Sequence, residues 1–325
     1  MKKILGTLCI ACFFVACSGD DGDVLEGVSP RTLGEVLPED EAAIEEFLAT
    51  HFYNYEDFDE PIDPDFDLRV RIDTIAGENA DKTPLAQQVK DTTINVSAIQ
   101  LNLDSEEVDI GHKLYYIEVR EGAGPSPTIG DSTLLRYNGT LLDNSSFDAV
   151  SDFVWQELPF FLRGFHQGVS KLKTGTLEQL DNNPDGTVRF NDSGIGIIIM
   201  PSGLAYFLNS PSTLIPAYSP LVFSVEIGQR IEGTDNDNDG VPNIMEDLDG
   251  DGDLFNDNTD NDVEEEQGLL AGIPNFRDTD DDGDGILTRT EISDADGNII
   301  FPYPDSNNDG IPDYLDIDVE RDPNN

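Results

Sequence analysis

Cysteine is almost absent from this sequence of 325 residues. The chain has three cysteines, and all of them fall within its first 17 positions, as Cys9, Cys12 and Cys17. A disulfide framework is therefore excluded for the remainder of the chain. If the protein is exported to an oxidising compartment, core packing and metal ions must stabilise it instead.

Basic residues are also scarce. Lys and Arg number 18 against 67 Asp and Glu, which gives a formal net charge of −49. Contact with a phosphate backbone needs clustered Lys and Arg, so the composition argues against a nucleic-acid partner. After Gly233 the only basic residues are Arg277, Arg289 and Arg321. We expect this segment to be either a disordered tail or a cation-binding one.

Residues 1–17 have the organisation of a bacterial signal peptide. Two lysines precede an apolar stretch over residues 4–15, which is too short to span a membrane as a helix. The following Ala16-Cys17 pair resembles the lipobox of bacterial lipoproteins, which implies that Cys17 is lipidated and becomes the first mature residue. The alternatives are Cys12 as the acceptor, and an ordinary secretory signal with incidental cysteines.

An acidic linker over residues 18–37 follows the predicted lipid anchor. It begins with the run SGDDGD, which resembles a tag that places some Gram-negative lipoproteins on the outer face of the outer membrane. A solvated linker is the alternative. We therefore predict an outer membrane lipoprotein, attached to the membrane by its lipid, on either the cell surface or the periplasmic face.

Residues 38–110 contain no motif that indicates chemistry. Acidic residues directly after Pro38, followed by apolar residues at helical spacing, predict a helix that begins there. We interpret this segment as an N-terminal extension that packs on the next domain.

Four motifs follow one another within residues 111–229. They are LLRYNGTLLDNSSFD (134–148), FLRGF (161–165), LAY (204–206) and IPAYSPLVFSVEI (215–227). Together they resemble the FKBP-type peptidyl-prolyl cis-trans isomerase domain. The resemblance implies an α+β fold, in which a strongly twisted antiparallel sheet wraps on one short helix. A polar insertion over residues 180–196 is expected to form a protruding hairpin or loop.

The resemblance also implies a function, isomerisation of X-Pro bonds in proline-containing polypeptide clients among exported proteins. Such a bond rotates over a barrier of ~20 kcal/mol because the planar amide is stabilised by resonance. A dry, aromatic pocket that favours the twisted amide suffices for catalysis, and no catalytic cofactor is expected. The alternative is a non-catalytic module for proline segments, which serves adhesion on the cell surface.

The pocket residues carried over from the resemblance are aromatic, with a few polar or aliphatic neighbours. They are Tyr137, Phe147, Asp148, Phe153, Phe161, Leu162, Phe165, Tyr206, Ile215 and Phe223. Tyr206 would hydrogen-bond the substrate carbonyl, and Phe165 takes the floor position that is usually Trp. Phe207 stands where the family usually has glycine, so we expect a remodelled rim. The alternative is that these aromatics are only the core of a small domain.

The acidic segment 233–325 contains three near-copies of a twelve-residue pattern. They are DNDNDGVPNIME (235–246), DDDGDGILTRTE (280–291) and DSNNDGIPDYLD (305–316), and a degenerate copy begins at Asp247. In a calcium loop of this spacing, alternate residues project toward one ion and glycine permits the sharp turn. Pro242 and Pro312 argue against the flanking helices of an EF-hand. The copies resemble thrombospondin type-3 repeats.

This second resemblance implies an irregular tail in which calcium is a structural cofactor. The implied ligands are Asp235, Asp237, Asp239, Val241, Asn243, Glu246, Asp280, Asp282, Asp284, Ile286, Glu291, Asp305, Asn307, Asp309, Ile311, Asp313 and Asp316. An acidic linker without a specific ion is the alternative.

Overall fold

A six-stranded antiparallel sheet is the centre of the fold. Its strand order is β3-β4-β9-β10-β5-β6, and two further two-stranded sheets pair β1 with β2 and β7 with β8. The strands are β1 (His51–Tyr53), β2 (Ile72–Thr74), β3 (Lys90–Val96), β4 (Ile110–Arg120), β5 (Ser132–Leu141), β6 (Ser146–Glu157), β7 (Leu180–Asn182), β8 (Val188–Phe190), β9 (Gly194–Met200) and β10 (Leu221–Ile231). The helices are α1 (Leu33–Thr50), α2 (Arg163–Val169), α3 (Asn261–Gln267) and α4 (Thr288–Glu291).

The structure is a computed structural model that describes residues 30–63, 65–184, 186–268 and 272–323. The predicted signal peptide, Cys17 and most of the acidic linker lie outside the described residues. From Arg31 onward the chain forms one unit. Within the described ranges, no helix is long and apolar enough to cross a membrane.

Strand β9 shows why the sheet has a helix on each face. All seven of its residues are buried, as expected for the continuous apolar run IGIIIM. Side chains alternate between the two faces of a strand. Ile198 and Met200 accordingly pack in the cluster that contains Phe165 of α2, whereas Ile197 and Ile199 pack in the cluster that contains Ile44, Phe47 and Leu48 of α1. The sheet is thus the middle layer of three.

Helix α1 begins five residues before the predicted start at Pro38. Thr32 is its N-cap and forms a capping box with Glu35. The Glu107 carboxylate accepts the backbone N–H groups of Leu33 and Gly34, each at 2.8 Å. The prediction missed this start because it was based on Pro38 and the acidic residues after it, and not on the Thr32–Glu35 capping-box pattern.

The N-terminal extension is part of the folded unit. Ile44, Phe47 and Leu48 of α1 pack against β4, β9 and β10, and the buried Asp40 carboxylate accepts the backbone N–H and the hydroxyl of Ser202. The extension also supplies β3, which is an edge strand of the central sheet. The insertion after residue 180 forms the expected hairpin, β7 and β8.

The acidic C-terminal segment packs on the sheet unit through small apolar clusters. Ile129, from the loop before β5, is buried against Leu254 and Phe276. The ring of Phe160 lies 5.8 Å from the rings of both Phe255 and Phe276. A separate cluster inside the segment contains Val241, Ile292 and Tyr314. The segment therefore docks on the domain that precedes it.

Candidate functional site

Three buried aromatic rings from three elements form the floor of the candidate site. Tyr137 is on β5, Phe223 is on β10 and Phe165 is on α2, and none is more than 7% exposed. Their ring centroids lie 5.0 Å (Phe165–Phe223), 5.6 Å (Tyr137–Phe165) and 5.8 Å (Tyr137–Phe223) apart, with edge-on orientations. This is the preferred geometry for aromatic packing.

Half-buried side chains surround this floor. The Phe161 ring stacks on Phe165 at 5.0 Å, and the Phe147 ring meets Phe223 edge-on at 5.5 Å. Leu162 and Tyr206 also pack against the cluster while remaining partly exposed, and Ile215 is buried in it. A buried apolar floor with a partly exposed rim is suited to holding a small apolar ring such as proline.

Gly139 allows two of these rings to approach each other. It lies opposite Phe223 on β10 and opposite Asp148 on β6. A Cβ atom at this position would lie 2.7 Å from the Phe147 ring and 2.9 Å from the Phe223 ring. The bare backbone at Gly139 is therefore part of the site's shape.

The site contains two phenols with different hydrogen bonding. The Tyr137 hydroxyl donates to Oδ2 of Asp148 at 2.6 Å. The Tyr206 hydroxyl has no hydrogen-bond partner among the described residues. Burial raises the pKa of both tyrosines above the ordinary value, and the nearby Asp148 carboxylate raises both further. Both phenols therefore keep their protons at neutral pH, and Tyr206 is able to donate a hydrogen bond to a ligand.

Phe153 does not join this group, which corrects the sequence prediction. Its ring packs on Phe190 of the β7–β8 hairpin at 5.1 Å, and the Arg136 guanidinium lies 5.3 Å from its centroid. The β5–β6 pairing shifts register twice, between Leu135 and Tyr137 and between Gly139 and Thr140. Phe147 lies at the second shift, so regular alternation along β6 does not give Phe153 the environment of Phe147.

The sequence did not predict that Tyr218 packs on Phe207 in the remodelled rim. Their rings meet edge-on at 4.9 Å, and both residues have positive φ angles. The Tyr218 hydroxyl accepts the backbone N–H of Arg31, and the Arg31 guanidinium lies 5.7 Å from the Tyr218 ring. Phe207 is only 2% exposed, so it packs inward beside Tyr206.

A second candidate site comprises the acidic loops of the C-terminal segment, which share one backbone conformation. In each, the carboxylate at position 1 accepts the N–H of the glycine at position 6, at 3.0–3.2 Å. The carboxylate at position 5 accepts the backbone N–H of position 7, at 2.6–2.9 Å. The four glycines are Gly240, Gly252, Gly285 and Gly310, all with positive φ. The degenerate copy at Asp247 therefore folds like the other three.

The loop carboxylates converge in a way that fits calcium. Oxygens of Asp235, Asp237 and Asp239 lie within 4.8 Å of one another, as do those of Asp280, Asp282 and Asp284, and those of Asp247, Asp249 and Asp251. Oxygens at this separation can all reach one Ca²⁺ at about 2.3–2.6 Å. Buried oxygens without a hydrogen-bond partner occur on Asp237, Asp239, Asp280, Asp282, Asp284 and on both position-12 residues, Glu246 and Glu291.

Burial and mutual repulsion act strongly on the position-12 carboxyls. The pKa of Glu246 is raised to about 10, chiefly by burial and then by Asp281. The pKa of Glu291 is raised to about 9 by burial and by Asp282 and Asp284. Such groups would carry protons at neutral pH unless a cation replaces the protons.

The side chain at position 9, predicted as a ligand in Asn243 and Asp313, makes a hydrogen bond within its own loop. It accepts the backbone N–H of position 2: Asn243 from Asn236, Thr288 from Asp281, and Asp313 from Ser306. The Asn243 amide also donates to the Gly130 carbonyl. Position 9 therefore closes the loop.

The third loop differs from the first two. The Asn307 amide donates to Asp309 at 3.0 Å and to Asp316 at 2.9 Å, so an amide group lies between the carboxylates. Asp313 is paired with Arg321. Ile311 is 46% exposed, whereas Val241 at the same position of the first loop is fully buried. Ile286, which occupies the same position 7 in the second loop, is half-buried.

Part of the chain is similar to solved FKBP-type structures. A peptidyl-prolyl cis-trans isomerase from Pseudomonas syringae matches 37% of this chain and 76% of its own, with 24% identity and a TM-score of 0.30. FkpA from Escherichia coli matches 36% of this chain and 47% of its own, with 27% identity and a TM-score of 0.29. The N-terminal domain of FKBP42 from Arabidopsis thaliana matches 39% of this chain and 98% of its own, with 17% identity and a TM-score of 0.29.

Residues 236–304 match a protein-family profile described as BamM C-terminal. None of the curated proteins matches the chain.

Proposed function

We propose that this protein is an FKBP-type peptidyl-prolyl isomerase that assists exported proteins. The observation that carries the proposal is the floor of Tyr137, Phe165 and Phe223 beneath a phenol, Tyr206, that has no hydrogen-bond partner among the described residues. A proline ring lying on this floor leaves water, and so does the amide bond before it. Loss of water weakens the resonance that keeps the amide planar, which favours the twisted transition state.

Each residue of the site has a part in this mechanism. Phe165 and Phe223 contact the proline ring, and Phe147 and Phe161 close its sides. The Tyr206 hydroxyl donates to the substrate carbonyl. The hydrogen bond from Tyr137 to Asp148 fixes the Tyr137 ring against the floor. No proton is transferred, so no residue of the site needs to titrate during turnover.

The test is proline-limited refolding of a substrate protein in the presence of the purified full-length protein. The wild type should accelerate the slow phase. Tyr206→Phe should lower kcat/KM about fivefold, because it removes a hydrogen bond of ~1 kcal/mol. The matched control is Tyr116→Phe, a half-buried tyrosine on β4. No acceleration by a folded wild-type protein that still binds proline peptides would favour the non-catalytic binding module instead.

We further propose that the protein is held at the outer membrane by a lipid on Cys17. The Ala16-Cys17 junction supports this, as does the lack of any later cysteine. Cells grown with labelled fatty acid should label the wild type and a Cys12→Ala variant but not a Cys17→Ala variant. Label retained by Cys17→Ala would contradict the proposal.

The third part of the proposal is that calcium stabilises the C-terminal segment as a structural cofactor. The converging carboxylates of the first two loops and their unpartnered buried oxygens support it. Calcium supplies the positive charge that these loops lack. Circular dichroism and protease resistance of the full-length protein should differ between calcium and chelator, and identical behaviour would contradict the proposal.

A further inference from the structure

A group of three carboxylates lies between the first two acidic loops. Asp239 and Glu246 belong to the first loop, and Asp281 belongs to the second. One oxygen from each lies within 4.8 Å of the other two. The three residues are only 2%, 1% and 0% exposed. The twelve-position pattern assigns no ligand role to Asp281, which occupies position 2 of its loop.

Five oxygens of this group have no hydrogen-bond partner among the described residues. They are both carboxylate oxygens of Glu246, both of Asp281, and Oδ2 of Asp239. A buried carboxylate without a donor or a counter-charge is costly, and three together are more so. The loop backbone nevertheless holds Asp281 in place, because its N–H donates to the Thr288 hydroxyl at 3.1 Å.

The surroundings of the group supply little positive charge. Asp235, Asp237 and Asp278 all act on it with negative charge. Arg289 acts on Asp239 with positive charge, but the residue itself is exposed. The rings of Tyr303 and Tyr314 are also near enough for these carboxylates to raise the pKa of both phenols. The group is therefore enclosed, apolar on one side and short of cations.

We propose that Asp239, Glu246 and Asp281 together hold a divalent cation that joins the first loop to the second. The ligands are all hard carboxylate oxygens at a mutual distance that suits Ca²⁺. Asp239 and Glu246, both implied ligands of the first loop's own ion, then bridge the two ions. The inference extends the proposed calcium role of the loops and rests on it.

This site has a structural task that the loop sites do not share. A loop ion holds residues of one twelve-residue segment, whereas this ion ties Asp281 to residues more than 30 positions earlier. Without the ion, the buried carboxyls either take up protons or repel one another, which weakens the junction between the two loops. The small cluster of Val241, Ile292 and Tyr314 should be weakened with it.

The experiment counts the calcium ions bound to the full-length protein by equilibrium dialysis. Asp281→Asn should bind one ion fewer than the wild type. Asp282→Asn should also lose one ion, the ion of the second loop, and the double variant should lose two because the sites are separate. Asp296→Asn is the control, since it changes an exposed acid outside every acidic group, and it should lose none.

Thermal melting separates loss of the ion from damage to the fold. In chelator, Asp281→Asn should melt no lower than the wild type, because a buried amide costs less than an unpartnered carboxylate. In calcium it should melt clearly lower. Lower melting in both conditions, or an unchanged ion count, would overturn the inference. An unchanged count for Asp281→Asn with a reduced count for Asp282→Asn would leave the loop sites standing, whereas a wild type without calcium would overturn both proposals.

Discussion

Individual residues of the aromatic site contribute either to its shape or to its hydrogen bonding. The Tyr137 hydroxyl donates to Asp148 and the Tyr137 ring packs in the floor, whereas the Tyr206 hydroxyl has no hydrogen-bond partner among the described residues. Gly139 contributes only the absence of a side chain. A pocket for a ring as small as proline depends on such details, because one methyl group is a large fraction of its volume.

The prediction that follows concerns Gly139→Ala. The new methyl group would displace the Phe147 and Phe223 rings, which lie 2.7 and 2.9 Å from its position. Overpacking of this kind costs ~1–3 kcal/mol. We expect kcat/KM for isomerisation to fall about tenfold or more, with a smaller loss of thermal stability.

Gly111→Ala is the matched control. This strand glycine on β4 is exposed, and its Cβ would meet only the Thr93 and Asn95 side chains. Isomerisation should be unchanged in this variant. Equal activity losses in the two variants would show that the effect arises from strand glycines in general.

The sequence predicted most residues of the aromatic site but not all. Tyr137, Phe147, Phe165 and Phe223 belong to motifs with a fixed order, and the structure brings them together. The prediction that Phe153 belongs to the site was wrong, because the register shifts on β6 cannot be seen in a period-two pattern. Asp281 was missed for a different reason, since its partners are remote in sequence.

At the scale of elements, the C-terminal segment and the pocket helix are connected. The Arg163 guanidinium, at the first residue of α2, pairs with Asp251 at 3.1 Å and donates to the Gln100 side chain at 2.8 Å. Asp251 lies in the degenerate loop, and Leu162 of the site directly precedes Arg163. The sequence predicted only an irregular tail here and no contact with α2, because apolar residues such as Leu254 and Phe276 are sparse in the acidic segment.

We predict that Phe160→Ser loosens the C-terminal segment while the sheet stays folded. Phe160 is 50% exposed and packs on Phe255 and Phe276, so its loss removes docking surface without opening the core. Hydrogen exchange of residues 233–268 should become faster, and that of β9 should not change. Trp155→Ser is the control, since Trp155 on β6 is 51% exposed. The prediction is wrong if both variants leave exchange in the segment unaltered.

Helix and strand positions were predictable where they follow local signals. β9 and β10 follow from apolar runs, and the β7–β8 hairpin from the polar insertion before β9. The start of α1 was placed too late because the local capping-box pattern of Thr32 and Glu35 was not used. The support that Glu107 gives to this helix end comes from a remote carboxylate, which the local sequence does not show.

At the scale of the whole molecule, calcium determines how the stability of the fold depends on pH. Without calcium, the pKa values of Glu246 and Asp281 are raised to about 10 and that of Glu291 to about 9, in each case mainly by burial. In the unfolded chain these groups titrate near ~4. The folded state therefore binds more protons between about pH 4 and 10, and its stability falls as pH rises through that window.

We predict opposite pH slopes in chelator and in calcium. In chelator, the melting temperature should decrease from pH 5 to pH 8. In saturating calcium it should increase over the same range, because fewer protons then compete with the cation for the same carboxylates. Calorimetry at several pH values measures both slopes. Parallel slopes in the two conditions would contradict the assignment of these carboxylates to cation sites.

The contact of Arg31 with Tyr218 fixes where the chain leaves the folded unit. Tyr218 packs on Phe207, which is the neighbour of Tyr206. Whatever holds the chain on the N-terminal side of Arg31 therefore acts first on the rim of the aromatic site rather than on the sheet.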